Sequence, residues 1–329
     1  MKKYSANFGI IIPIIVALFN IFLVLNPTEM VKAGREGLML WFNQVLPTLL
    51  PFVVGANLLA GLGFIHFMGA IMAPVMVPVF KVPGAGAYAL LTGITSGYPM
   101  GAKAVAQLRE MKQIKRQEAQ RLIAFCNNAG PLFVIGFVGA GLFGSVRYGY
   151  ILLVSHLIAA LIIGIVTGLF VKDSELSKAD SGLHEAFNKY RDFRKEHYEG
   201  FGSVLGSSIK NAMESMVLVG GFIIVFCVVI KALEIGGLFD YLDQYGDGIA
   251  AGLLEVANGA KMLTQGGPPN SAVLAATAAI ISFGGLSVHG QTAHFIKDTD
   301  IKLAPYLAAK VLQAFIAGVV CWFVLEVGI

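Results

Sequence analysis

Long apolar runs broken by short polar islands set the pattern of this chain. A helix needs about 20 apolar residues to cross a hydrocarbon core of about 30 Å. On that scale, spans are predicted over Phe8–Leu25, Leu46–Phe64, Leu122–Val146, Tyr148–Val171, Val204–Ile235, Asn270–Ile296 and Leu303–Val327. Two further stretches are predicted to turn back on themselves. Gly84–Met111 folds at Ser96–Gly101, where Gly97, Pro99 and Gly101 prevent a continuous helix, and Gly248–Gln265 carries a polar tip near Glu255–Lys261. Backbone groups released at such tips are costly in hydrocarbon, so the tips survive only where protein or a water-filled cavity supplies partners. A solvent-exposed loop between two ordinary helices is the plainer alternative. His66–Lys81 holds Pro74 and Pro78, is too short to cross comfortably, and is expected to lie in the interface.

Composition agrees with the pattern. The 329 residues are 56% hydrophobic and 13% charged, where a soluble globular chain has about 25% charged. This excludes a soluble globular domain. Lys2 and Lys3 precede the first run, but no small-x-small cleavage site follows it, so it is expected to be a retained span. The 39 glycines and 12 prolines are spread through the apolar runs, which points to broken helices and close packing. Cys126, Cys227 and Cys321 lie far apart inside apolar segments and imply neither disulfide nor metal site.

The basic residues orient the chain. Sixteen lysines and arginines, concentrated in Arg109–Arg121 and Lys172–Lys195, fall on one side of the predicted topology, against Lys32, Arg35 and Arg147 on the other, which also carries Asp240, Asp243 and Asp247. The positive-inside rule makes the basic side cytoplasmic. Anionic lipid is the expected neighbour of Arg109–Arg121, and nucleic acid is not an expected partner.

Two halves resemble each other. Gly101-Ala102-Lys103 recurs as Gly259-Ala260-Lys261, and the break at Phe125–Pro131 recurs at Phe283–Gln291, both pairs 158 residues apart (261 − 103 and 283 − 125). Each half runs span, hairpin, broken span, span. Three crossings per half would set the second upside down relative to the first. The expected fold is therefore an all-α polytopic membrane protein, an inverted repeat with two re-entrant hairpins and two broken helices. Residues 1–33 would form an N-terminal span and loop, 34–171 the first repeat, 172–203 a cytoplasmic linker and 204–329 the second repeat.

Polar groups inside spans are expensive, which makes each one a functional candidate. Thr95, Ser96 and Tyr98 form the first tip, and Glu255 and Asn258 the second. Lys103 and Lys261 follow the tips. Paired across a pseudo-twofold axis they would suit an anionic solute, unless they snorkel or pair with Glu255. Asn127 and Asn128, and Ser287, His289 and Gln291, sit at the helix breaks. Half-helix N-termini formed there favour carboxylate or phosphate. His289 could bind solute, carry a coupling proton, or satisfy a backbone carbonyl. His156 and Lys310 lie eight residues before Gly164 and Gly318 in the last span of each half, matching positions where the plainer reading is a local hydrogen bond.

No Walker sequence, His-Glu-x-x-His or Gly-x-Ser-x-Gly occurs, so no catalytic role and no cofactor are expected, with a coupling proton or sodium ion left open. Ser96–Lys103, Asn127–Gly136 and Phe283–Gln291 together resemble the sporulation integral membrane protein family of the YlbJ type, within the gate, or nucleoside-recognition, group. That group is similar in organisation to concentrative nucleoside transporters. The resemblance covers nearly the whole chain from Gly34 onward and implies a secondary transporter of a small anionic aromatic carboxylate, dipicolinate, at the cell membrane or, in a spore former, the outer forespore membrane. A nucleoside transporter, or a non-transporting gate or assembly subunit, is the alternative. The expected partners are the lipid bilayer and a small solute, with a homo-oligomer or membrane-protein partner left open.

Overall fold

The computed structural model describes residues 6–170, 200–265 and 269–327, with parts of 187–195. Most of the polar interval 172–200, and Lys2 and Lys3, lie outside the described residues. Among the described residues every element is helical. In order they are α1 (Ala6–Leu25), α2 (Pro27–Leu40), α3 (Leu46–Gly61), α4 (Phe64–Phe80), α5 (Gly86–Ser96), α6 (Met100–Glu110), α7 (Arg116–Cys126), α8 (Val146–Leu169), α9 (Phe201–Ile235), α10 (Gln244–Leu254), α11 (Val256–Thr264), α12 (Ser271–Phe283), α13 (Gly285–Ile296) and α14 (Leu303–Glu326). Two π-helical segments, Trp41–Val45 and Leu132–Leu142, join α2 to α3 and follow α7.

Among the described residues five stretches are long and apolar enough to cross a membrane: Pro27–Gly61, Val146–Leu169, Phe201–Ile235, Ser271–Ile296 and Leu303–Glu326, while the predicted spans Phe8–Leu25 and Leu122–Val146 give only the shorter apolar helices Ile10–Leu25 and Leu132–Leu142. The protein is thus a multi-pass, all-α membrane protein. The second span differs from expectation, because the helix predicted over Leu46–Phe64 begins at Pro27 instead. Its early turns carry Glu29, Lys32, Arg35 and Glu36 and read as a loop, yet Pro27 starts a helix well and Gly37 lets the backbone lie against Ile224 and Cys227 of α9. Large apolar side chains such as Val217, Val225, Val311 and Phe315 face outward, as a lipid-facing surface requires.

At both expected turns the chain reverses between two short helices that pack on each other. The arms α5 and α6 meet at Gly93 and Gly101, and α10 and α11 meet at Gly252 and Gly259, where an added Cβ on Gly259 would lie 2.1 Å from the Gly252 Cα. The helices α5 and α10 begin and end 158 residues apart (244 − 86 and 254 − 96). The second turn is tighter than the predicted Glu255–Lys261, being confined to Glu255, whose side chain caps α11 by accepting from the Asn258 N–H at 2.9 Å. Lys261 consequently lies on the return arm.

The first hairpin packs on α7 and α13, the second on α12 and the π-helical Leu132–Leu142. At the base of the first, Arg109 grips Asp300 with two bonds of 2.9 Å, while Arg116 donates to the Asp300 carbonyl at 3.0 Å. This clasp ties α6 and α7 to the loop before α14. The Arg109 guanidinium holds the Asp300 carboxyl below its usual range, so in acid the unfolded chain binds more protons than the folded one. The clasp therefore adds stability at neutral pH that disappears as pH falls through the depressed value. Asp300→Asn should lower the melting temperature near neutrality, by little because the pair is exposed, and should not change it in strong acid; a Tm difference constant across pH would refute this.

Candidate functional site

The two hairpin tips and the two helix breaks converge. Gly97 has φ +77°, a conformation that favours glycine, and an added Cβ would lie 2.8 Å from the Gly130 nitrogen, so the first tip rests directly on the first break. Gly285 has φ +74°, and a Cβ there would lie 3.0 Å from the carbonyl oxygens of Gly252 and Leu254, so the second break rests on the second hairpin. Between them lies a cavity of about 50 Å³. Its wall includes Gly97 and Tyr98 from the first tip, Gly130 from the first break and Phe133 from the helix after it, Glu255 from the second tip and Val256 at the start of α11, and Ser287 and Gln291 from α13, because the predicted break Phe283–Gln291 narrows to Gly284 and the chain is helical again from Gly285. Thr48, Leu49, Val219 and Ile223 close it from α3 and α9. Residues at or just before the starts of α6, α11, α13 and the Leu132–Leu142 helix line it, so partly positive N-terminal ends lie near one space, that of α11 capped by Glu255.

Behind the cavity a polar network fixes the breaks. Asn127 donates to Thr292 Oγ1 at 3.0 Å and to the Tyr306 hydroxyl at 2.9 Å, and its Oδ1 accepts from the Ala102 N–H at 3.4 Å. One side chain thereby joins a hairpin, α13 and α14. Lys310 Nζ donates to the Asn127 carbonyl and, at 2.7 Å, to Gln313 Oε1; Gln313 donates to Asn128 Oδ1 at 3.2 Å, and Asn128 to the Phe125 carbonyl at 2.7 Å. Two carbonyls at the break, those of Phe125 and Asn127, are therefore satisfied by side chains. His156 Nε2 accepts from the Ala129 N–H at 3.0 Å, which leaves the proton on Nδ1 to donate to Ser282 Oγ at 2.8 Å. This neutral imidazole ties the first break to the helix preceding the second.

The candidate residues divide into groups. Tyr98, Glu255, Ser287 and Gln291 line the cavity, with Gln291 donating to Ser287 at 3.2 Å. Asn127, Asn128 and His289 lie in the network, His289 Nδ1 being 3.3 Å from the Tyr306 hydroxyl. Ser96 Oγ, the Tyr98 hydroxyl and His289 Nε2 are buried without a protein partner among the described residues, which marks the region as one for polar ligands or water. Thr95 is exposed and bonds its own helix at Leu91. Lys103 and Lys261 stay apart from the cavity and from each other. Lys103 donates to Ser215 Oγ at 2.7 Å and the Asn211 carbonyl at 3.4 Å on α9. Lys261 and Asn258 border a second, polar vestibule of about 210 Å³ between α2, α9 and α11, crossed by contacts of Lys231 to Glu29 (3.8 Å) and Glu234 (3.1 Å). Neither lysine pairs with Glu255.

Thr292, Tyr306 and Gln313 were not among the predicted site residues. Tyr306, Lys310 and Gln313 form a polar i, i+4, i+7 stripe on an otherwise apolar helix, the signal by which they are legible.

A family model described as "Gate: Nucleoside recognition" matches residues 42–171. The "Sporulation integral membrane protein YlbJ" of Bacillus subtilis (strain 168) is 31% identical over 337 aligned residues, covering 95% of this chain and 83% of that protein. No solved structure matches the chain.

Proposed function

We propose that this chain, which belongs to the YlbJ-type sporulation integral membrane protein family, is a secondary transporter of a small anionic aromatic carboxylate of the dipicolinate kind, working in a sporulation membrane. The observation that carries this reading is the meeting of both tips and both breaks at one cavity. Four helix N-termini give that space a positive bias without a mobile cation, which suits a carboxylate. Its present volume holds only a few waters, so the hairpins must part for an aromatic ring to enter.

Residues 34–171 and 204–329 then act as inverted repeats joined by 172–203. The opposed hairpins support this: the first ends at Asp300, beyond one end of the Ser271–Ile296 span, while the second lies along the other half, with Gly252 against Ile280. Each hairpin would be re-entrant from its own face, and parting one at a time gives alternating access. Lys261 would meet the anion in the vestibule, Asn258 would pass it inward, and Lys103 would hold the first hairpin to α9.

A nucleoside is the second reading, favoured by the description of the matching family model. Uptake into proteoliposomes of pyridine-2,6-dicarboxylate, its uncharged diamide and nucleosides separates the two. Saturable uptake of the dicarboxylate alone is expected, and Gln291→Leu, which deletes a donor in the cavity, should weaken it roughly 10- to 150-fold, the worth of a hydrogen bond to a charged group. Equal uptake of acid and diamide would overturn the anion reading, nucleoside uptake alone would replace it, and no uptake of any would leave a gate or assembly subunit.

A further inference from the structure

Glu255 stands in the way of an anion. It is 3% exposed, lines the cavity, and among the described residues forms no ion pair. Its Oε2 accepts from the Asn258 backbone at 2.9 Å and from Asn258 Nδ2 at 2.8 Å. An ionised carboxylate there would repel a carboxylate solute across a few ångströms of poorly screened space, a cost the helix ends would have to exceed. Neutral, it becomes a hydrogen-bond donor to the same solute.

The geometry also supplies a route. Asn258, bonded to Glu255, lies in the wall of the vestibule, whereas Glu255 lies in the wall of the cavity. The pair therefore separates two compartments one side chain apart. The titratable groups around it are Tyr98 on the opposite tip, Cys227, Lys231 and Glu234 on α9, Glu29, Lys32 and Glu36 on α2, Lys261 on its own helix and His289 on α13. Lys231 is already engaged by Glu29 and Glu234.

We propose that Glu255 is the coupling site of this transporter, taking a proton from water in the vestibule when the anion binds and releasing it to water on the opposite side once the anion has left. Each cycle would move one proton with one solute, and no bond other than O–H is made or broken. A proton suits the site better than a metal cation. A metal cation needs several oxygen ligands, and the wall around Glu255 is largely apolar, with Val45, Leu49, Val219, Ile223 and Val288. This inference rests on the transport reading above.

The test uses liposomes clamped at zero membrane potential with the outside about one pH unit more acid. Wild type should accumulate pyridine-2,6-dicarboxylate about tenfold, and any uptake left in Glu255→Gln should stop at an inside-to-outside ratio of about 1. Gradient-driven accumulation by Glu255→Gln, or wild-type accumulation driven by sodium and not by pH, would overturn the proposal. If wild type moves none of the probes, the transport reading fails by itself, and infrared difference spectroscopy on detergent-purified protein still reads the proton. A titrating protonated-carboxyl band that vanishes in Glu255→Gln supports the site, and absence of that band overturns it. Glu255→Asp, which keeps the carboxyl and should move the band, serves if Glu255→Gln does not fold.

Discussion

Gly93→Ala is expected to prevent the first hairpin from docking. The Cβ would lie 1.6 Å from the Cys126 carbonyl oxygen and 2.8 Å from its carbon, and at Gly101 the oxygen would be 1.9 Å away. That carbonyl belongs to the last residue of α7, where the break at Asn127 ends the helix, and it sits in the notch formed by the two glycines. Overpacking a core costs about 1–3 kcal/mol when side chains can move aside. Here both partners are backbone, so the loss should reach the top of that range or abolish folding. Gly206 on α9 is the control, because no atom lies within 4 Å of its added Cβ. Gly206→Ala should be neutral or stabilising by about 0.4–1 kcal/mol. Thermal unfolding of the purified variants decides, and a Gly93→Ala protein melting with wild type would remove the glycine notch as the reason for the close approach.

Much of this architecture is legible in the chain because glycine and proline mark backbone breaks whatever surrounds them. Gly97 and Pro99 locate the first tip, and the spacing from Phe125 to Phe283 locates both breaks. Side-chain capping is less visible. The run Glu255–Lys261 places Glu255, Asn258 and Lys261 among small residues, yet only Glu255 turns, because its carboxylate accepts from the Asn258 N–H in the first turn of α11. The convergence of side chains is harder still, since it depends on how each helix is rotated against its neighbours. Lys103 and Lys261 are matched by the 158-residue spacing, but α9 takes the first and the vestibule the second. Lys310, which has no lysine 158 residues earlier, reaches the centre because Tyr306, Lys310 and Gln313 share the face of α14 turned towards Asn127 and Asn128. The charged face of α2 is a similar case: it reads as loop until Gly37 is seen against α9 with the vestibule beside it.

His156→Leu should lower stability although it leaves the backbone free to stay in place. The side chain is fully buried, and Leu is similar in size, so packing changes little. What changes is polar pairing. The Ala129 N–H, freed by the break between α7 and the Leu132–Leu142 helix, has Nε2 as its acceptor at 3.0 Å, and in a dry interior nothing replaces it. An orphaned buried donor costs about 1–3 kcal/mol. Ser282 loses a partner too, but a helical serine can rotate to a carbonyl one turn back, so its share is smaller. Interhelical hydrogen bonds within membranes average only about 0.6 kcal/mol, because side chains of the unfolded state in lipid find other partners. The Ala129 group is backbone at a break with no helical acceptor, which places it above that average, at roughly 2–3 kcal/mol in total. His156→Gln can return an acceptor near the Nε2 position and should recover much of the loss. Melting temperatures of the two variants in detergent check the argument: equal losses would mean that volume, and not the acceptor at Ala129, is what His156 provides.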